Sequence, residues 1–227
     1  MEGRTSNENG ILENNVQENV PFNVQDSIFS SNMFLDGDGE VVLTQTSDRL
    51  SWISVESVLN GQDPSSCFGI SKSETTLCFG DIYSTEFIDW GLVHKTAFLG
   101  HSFEMYRFTI RGVQKSKAQP SVLVPSSYTF GHKDSQTCQM WVNRINELLN
   151  MDAERPKNLL VFVNPKSGKG LGCKVWETVA PTFSQAKVKM KVTVTERAGQ
   201  AFDIMSSITN RELRSYDGVV AVVSTKH

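Results

Sequence analysis

The stretch Asn158-Leu-Leu-Val-Phe-Val-Asn-Pro-Lys-Ser-Gly-Lys-Gly-Leu-Gly172 joins an unbroken apolar run to a loop rich in glycine and lysine. An apolar run without alternation, Leu159–Val163, is what a strand buried on both faces of a parallel sheet looks like. A strand that stops in a glycine-rich turn and re-enters as a helix presents main-chain N–H groups to an anion at the carboxyl edge of the sheet. Gly168, Gly170 and Gly172 lack the Cβ atoms that would hold a phosphate away, and Lys166 and Lys169 add positive charge. A phosphate cradle is the expected use of this loop, against the alternative that its lysines are merely solvated. Two commoner phosphate patterns do not fit. A Walker A loop would need a glycine at Val163 and a hydroxyl residue at Gly170, and the third glycine of a dinucleotide fingerprint comes one residue early.

Downstream, Lys174–Ala180 reads as helix, Lys189–Thr195 as strand, Gly199–Ile208 as helix and Gly218–Val222 as a buried strand. Strand–helix–strand–helix–strand implies a right-handed parallel α/β unit. Lys187, Lys189 and Lys191 alternate with Val188, Met190 and Val192, which suggests one exposed face at a strand entrance. Upstream, residues 151–157 form a short charged linker. Before it, Cys138, Trp141, Val142, Ile145, Leu148 and Leu149 recur at helical spacing behind Asp134, a candidate N-cap. Before the helix come seven short β-like runs: Glu40–Thr44, Leu50–Ser54, Cys67–Ile70, Thr75–Phe79, Ile82–Ile88, Met105–Ile110 and Ser127–Phe130. Turn residues such as Asp36–Gly39, Asn60-Gly61, Asp63-Pro64 and Gln119-Pro120 break them. Asp36–Gly39 reads as a hairpin turn; a calcium loop needs a longer ladder of ligands.

The chain of 227 residues is about one and a half domains at ~150 residues each. With 39% hydrophobic and 21% charged residues it can bury a sizeable core, which excludes collagen-like and wholly disordered classes. The net charge of −3 is unevenly spread: residues 151–227 carry 12 basic and 7 acidic side chains, so the excess of acid lies upstream. A basic C-terminal third suits an anionic ligand, while binding to nucleic acid is not expected of so acidic a chain. The polar, acidic beginning has no signal-peptide pattern and no run approaches the ~20 residues of a membrane span. A cytoplasmic protein is expected, with Cys67, Cys78, Cys138 and Cys173 as reduced, mostly buried thiols. The four histidines show no spacing that suggests catalysis or metal binding.

Seven strands closed by one amphipathic helix with a central tryptophan resemble the pleckstrin-homology (PH) architecture. The expected class is a two-domain α+β and α/β protein. It has an acidic disordered tail (1–34), a PH-like β-barrel with a C-terminal helix (35–150), a linker (151–157) and a partial parallel α/β nucleotide-binding lobe (158–227). The run Leu159-Leu-Val-Phe-Val-Asn-Pro-Lys-Ser-Gly-Lys-Gly170 resembles the opening of the catalytic domain shared by diacylglycerol, sphingosine and ceramide kinases. Val194-Thr-Glu-Arg-Ala-Gly-Gln-Ala201 and Tyr216-Asp-Gly-Val-Val-Ala-Val222 are similar to its second and third elements. With a PH-like domain in front, the nearest resemblance is to the ceramide kinases, and the wording Val175–Val179 and Thr195–Gly199 is similar to their plant branch.

The resemblance implies that Asn164, Pro165, Lys166, Ser167, Gly168 and Lys169 surround the phosphates of ATP, and that Thr195, Glu196, Arg197, Ala198 and Gly199 line a second nucleotide-contacting turn. It implies phosphoryl transfer from ATP to the primary hydroxyl of ceramide, assisted by a divalent cation (Mg or Ca). Sphingosine or diacylglycerol is the alternative substrate. A PH-like domain implies peripheral association with a membrane, for which Arg107, Arg111, Lys115 and Lys117 around a turn at Gly112 are candidate headgroup contacts. In the family the third strand runs into Gly-Gly-Asp-Gly, whereas here Val222 is followed by Val223-Ser-Thr-Lys-His227. The expectation is a truncated chain, possessing neither catalytic nor metal-binding residues of its own and inactive alone, its last residues being translated intron. The competing class is a non-catalytic membrane or partner adaptor.

Overall fold

The computed structural model describes residues 29–55, 74–94 and 102–223. The expected strand Cys67–Ile70, the turns at Asn60-Gly61 and Asp63-Pro64, and most of the expected tail lie outside the described residues. Seven antiparallel strands form one sheet: β1 (Phe29–Leu35), β2 (Gly39–Gln45), β3 (Arg49–Ser54), β4 (Thr75–Cys78), β5 (Ile82–His94), β6 (Ser102–Lys115) and β7 (Leu123–His132). Their order is β4-β3-β2-β1-β7-β6-β5. Helix α1 (Ser135–Met151) follows and packs on β5, β6 and β7. Among the described residues no helix is long and apolar enough to cross a membrane.

Alternation explains the strands. Met33, Leu35, Val41, Leu43, Leu50 and Trp52 point inward, and with Phe108, Ile110, Phe130 and the apolar stripe of α1 they make one core. Leu148, expected in that stripe, is only half-buried, while Cys138, Trp141, Val142, Ile145 and Leu149 are buried. The Asp134 carboxylate accepts from the Thr137 hydroxyl (2.7 Å) and from the amides of Gln136 (3.1 Å) and Thr137 (3.0 Å), satisfying two main-chain donors of the first turn, and these bonds, the hydroxyl's above all, hold its pKa below the usual value. Burial pushes the Cys138 thiol up to about 11. Cys78, by contrast, is exposed.

Three expectations need correction. The sheet is open: β4 and β5 are its two edges, and no pairing among the described residues joins them into a barrel. The chain passes from one edge to the other through the tight turn Phe79–Asp81, and Arg155 donates to the carbonyls of Phe79 and Ile82 there. The described strand β1 also starts inside the expected tail, at Phe29. Phe29 lies 4.7 Å from the Trp141 ring and under the Arg144 guanidinium (4.6 Å), so β1 includes residues assigned to the tail. Finally, Gly112 is inside β6 and makes no turn. A Cβ there would stand 2.7 Å from the Asp81 carbonyl oxygen. The basic residues of that region lie along a strand, with Arg111 bonded to Glu86 (2.9 Å) and Arg107 to main-chain carbonyls.

Beyond the linker, β8 (Asn158–Val163), β9 (Lys189–Val194) and β10 (Gly218–Val222) form a parallel sheet in the order β10-β8-β9. β8 is central, and Leu159–Val163 are all buried. Helices α2 (Gly172–Gln185), α3 (Gln200–Ser207) and the short α4 (Asn210–Leu213) connect the strands; α4 has no counterpart in the sequence reading. Lys187, Lys189 and Lys191 are exposed and Val188 and Met190 half-buried, but Val192 is exposed too, so the alternation does not hold to the end of the run.

Trp141 is fully buried and its indole N–H has no partner among the described residues. Trp141→Ala is expected to cost roughly 3–5 kcal/mol in urea unfolding, as for large core truncations. Trp141→Phe should cost far less, because the ring volume largely remains and an unsatisfied donor is removed.

Candidate functional site

The carboxyl ends of β8 and β9 place two turns side by side. The first leaves β8 at Asn164 and runs through Ser167–Gly170 into α2. Ser167 N donates to Asn164 O (3.1 Å) and Lys166 N to Asn164 Oδ1 (3.0 Å), which folds the chain back at Pro165. Gly168, Lys169 and Gly170 then take positive φ in succession (60°, 60° and 85°). Glycine tolerates this conformation; Lys169 adopts it at a cost of about 1–2 kcal/mol. Gly172 has a different role from the one its spacing suggests. A Cβ on it would lie 1.9 Å from the Asn164 carbonyl oxygen, so its bare Cα lets α2 start against the end of β8.

The second turn leaves β9 at Thr195, whose amide donates to Val163 O (2.9 Å) and whose hydroxyl reaches the same oxygen (3.3 Å). Gln200 Oε1 accepts from the amides of Glu196 (2.6 Å) and Arg197 (3.4 Å). Gly199, at φ 78°, carries the chain into α3. Gln200 escaped the sequence reading because nothing in its spacing marks it; only the folded turn aims its carboxamide back at residue 196.

Between the turns is a cleft of about 190 Å³ lined by Asn164, Lys166, Thr195, Glu196, Arg197 and Ala198. Six of the eleven expected site residues therefore meet, at most three positions apart in sequence within each turn but some thirty apart between them. Pro165, Ser167, Gly168, Lys169 and Gly199 shape the turns without lining the cleft. Lys166 is exposed beside it, whereas the Arg197 guanidinium is held by Asp203 (2.6 Å). A whole small-molecule site is usually ~300–1,000 Å³, so this cleft suits a phosphate group rather than an entire nucleotide. The amides of Lys166, Thr195, Glu196 and Arg197 and the Thr195 hydroxyl are bonded within the turns, which leaves the Lys166 ammonium as the side-chain donor suited to an anion. Glu196 on the rim opposes an anion, and no three His, Cys, Asp or Glu residues gather as a metal site among the described residues. The residues present fit phosphate and do not assemble a divalent-cation site.

Asp217 fastens the other end of the sheet. Its carboxylate accepts from the amides of Lys157 (2.7 Å) and Asn158 (2.8 Å), which lowers its pKa from 3.8.

Residues 158–223, the parallel unit with its two turns, match the diacylglycerol kinase catalytic domain. Over 213 residues the chain is 48% identical to a ceramide kinase of Arabidopsis thaliana, covering 87% of this chain and 35% of that protein. It is 44% identical over 196 residues to a ceramide kinase of Oryza sativa subsp. japonica, covering 84% and 32%. Against sphingosine kinase 1 of Arabidopsis thaliana the identity is 31% over 98 residues, covering 43% and 19%. The chain is similar to the two plant ceramide kinases over most of its own length, and it spans about a third of theirs.

Gly172→Ala is expected to destabilise the parallel unit by about 1–3 kcal/mol, the usual cost of overpacking, read by urea unfolding followed at Trp176. Asp217 gives a pH prediction. Because its folded pKa is depressed, its stabilising contribution is complete above the unfolded value near 3.8 and is lost as pH falls through the lower folded value. Hydrogen exchange at the Lys157 and Asn158 amides should accelerate, beyond the intrinsic pH trend, across that acid range. Asp217→Asn should abolish that extra change.

Proposed function

We propose that this chain supplies the lipid-facing PH-like unit, residues 35–150 extended by β1, and the phosphate-gripping turns of an ATP-dependent ceramide kinase. Strand order and the single C-terminal helix support the PH-like reading, with residues 151–157 as linker and the catalytic-domain segment from 158. The observation that carries the kinase reading is the cleft between the Asn164–Gly170 and Thr195–Gly199 turns, lying at the carboxyl edge of parallel strands within the segment that matches a lipid kinase catalytic domain. Ceramide is preferred to sphingosine because the similarity to ceramide kinases covers most of the chain and that to the sphingosine kinase less than half.

In this reading ATP supplies a γ-phosphoryl group, bound with a divalent cation, for the primary hydroxyl of ceramide, giving ceramide 1-phosphate. Lys166 offsets negative charge at the cleft. The left-handed run Gly168–Gly170 shapes the turn beside the cleft, and Thr195, bonded to Val163 O, fixes the facing turn against it. Arg197, neutralised by Asp203, positions the second turn rather than gripping phosphate. The PH-like unit places these turns at the cytoplasmic surface of a membrane holding the lipid.

Titration with a fluorescent ATP analogue tests the site. Lys166→Ala should weaken binding about tenfold, the equivalent of one charge-assisted hydrogen bond. Arg197→Ala should have a smaller effect. Equal affinity of the Lys166→Ala and parent chains would remove the cleft from the mechanism. Assays of a longer protein containing this segment should show ceramide phosphorylated in preference to sphingosine and diacylglycerol, and the reverse order would refute the substrate assignment.

A further inference from the structure

A second cleft, of about 350 Å³, lies at the opposite end of β8, where the antiparallel and parallel sheets meet. Its walls are Tyr83 and Ser84 of β5, the last turns of α1, the linker at Arg155–Asn158, and the connection from α2 to Lys189. Four cationic side chains line it and no Asp or Glu does. Arg155 is already engaged by Asp152 and by the carbonyls of Phe79 and Ile82. The ammonium groups of Lys157, Lys187 and Lys189 form no ion pair among the described residues. The nearby Asp217 carboxylate is itself bonded to the main-chain amides of Lys157 and Asn158.

Two further features set this cluster apart from a solvated charged face. Lys187 has φ 59° directly after α2, with Lys187 N donating to Ser184 O and Val188 N to Phe183 O (both 3.0 Å). That is the helix-ending position where glycine is the usual residue, and a side chain there carries strain. The sequence nevertheless places a lysine at this point, on the wall of the cleft. Ser84 is only 7% exposed, and its hydroxyl has no partner among the described residues. Like charges gathered around one cavity repel unless an anion lies between them, and a buried hydroxyl without a partner costs stability.

We propose that this cleft binds a phosphate-bearing anion through Lys157, Lys187 and Lys189, with the Ser84 hydroxyl as a further donor. Bound there, the anion bridges the antiparallel unit and the parallel unit. The site is separate from the Lys166 cleft and does not depend on the kinase reading. A free phosphate and a phospholipid headgroup present the same chemistry, and the test distinguishes them.

The 227-residue chain is titrated with inorganic phosphate by calorimetry and sedimented with phosphatidylcholine vesicles with or without phosphatidic acid. Binding of phosphate in solution marks a soluble ligand. Binding only to vesicles containing phosphatidic acid marks a headgroup. Either should weaken about tenfold in Lys187→Gly and in the pair Lys157→Gln/Lys189→Gln. Either should persist in Lys133→Gln, on the surface elsewhere, and the same weakening should be seen when these variants are made in a Lys166→Ala background, where the lysine of the other cleft is gone. Lys187→Gly relieves a left-handed residue, so its thermal midpoint should be unchanged or raised. The proposal is overturned if the parent chain binds neither probe, or if Lys187→Gly and the double variant bind as tightly as the parent. A lowered midpoint with unchanged binding would overturn it too, marking Lys187 as a helix-terminal charge.

Discussion

Where β8 ends, the Asn164 carbonyl oxygen sits so close to the Cα of Gly172 that no side chain can stand between them. That contact forces the chain to leave β8, turn within a few residues and start α2 against the strand it has just left. The turn has to pass through three left-handed residues to do so, and its exposed outer surface carries Lys166 and Lys169. The second turn is then docked to the first by Thr195, whose amide and hydroxyl both reach the carbonyl of Val163, the last residue of β8. The cleft is thus a consequence of how tightly two strand ends are tied together, with hydrophobic burial of β8 holding the whole arrangement in register.

The antiparallel unit rests on a different device. Trp141 plugs the core from α1, Phe29 lies against it, and Arg144 spans Phe29 and Gln45. Because the sheet stays open between β4 and β5, Arg155 has a structural task in the linker: it satisfies carbonyls at the turn joining the two edges. A segment that reads as a charged connector is therefore pinned to the first unit on one side and begins the second on the other, and the basic inter-sheet cleft forms around it.

Much of this was legible in the amino-acid order. Unbroken apolar runs marked β8 and β10, short β-like runs between turn residues marked most antiparallel strands, and Asp134 with the stripe from Cys138 to Leu149 marked α1. Both turns of the cleft were found because their glycines, lysines and the Thr195–Gly199 wording resemble a known kinase segment. Less visible was the length of β5 and β6, which continue through Gly91 and Gly112. A glycine that makes room for a neighbouring strand or side chain is indistinguishable, in sequence, from one that makes a turn. For the same reason Gly172 was read as open to a ligand when its missing Cβ is filled by main chain.

What the sequence by itself determined is local: which segments are strand or helix, and which loops carry glycine and positive charge, since these follow from side-chain periodicity and backbone preference. Only the tertiary structure decided that Lys166 faces Thr195 across a cleft, that Arg197 is held by Asp203, that the antiparallel sheet stays open, and that Lys157, Lys187 and Lys189 surround one cavity. Each of these depends on strands separated by tens of residues coming together in a particular register, and register is a property of the packed core that no single segment specifies.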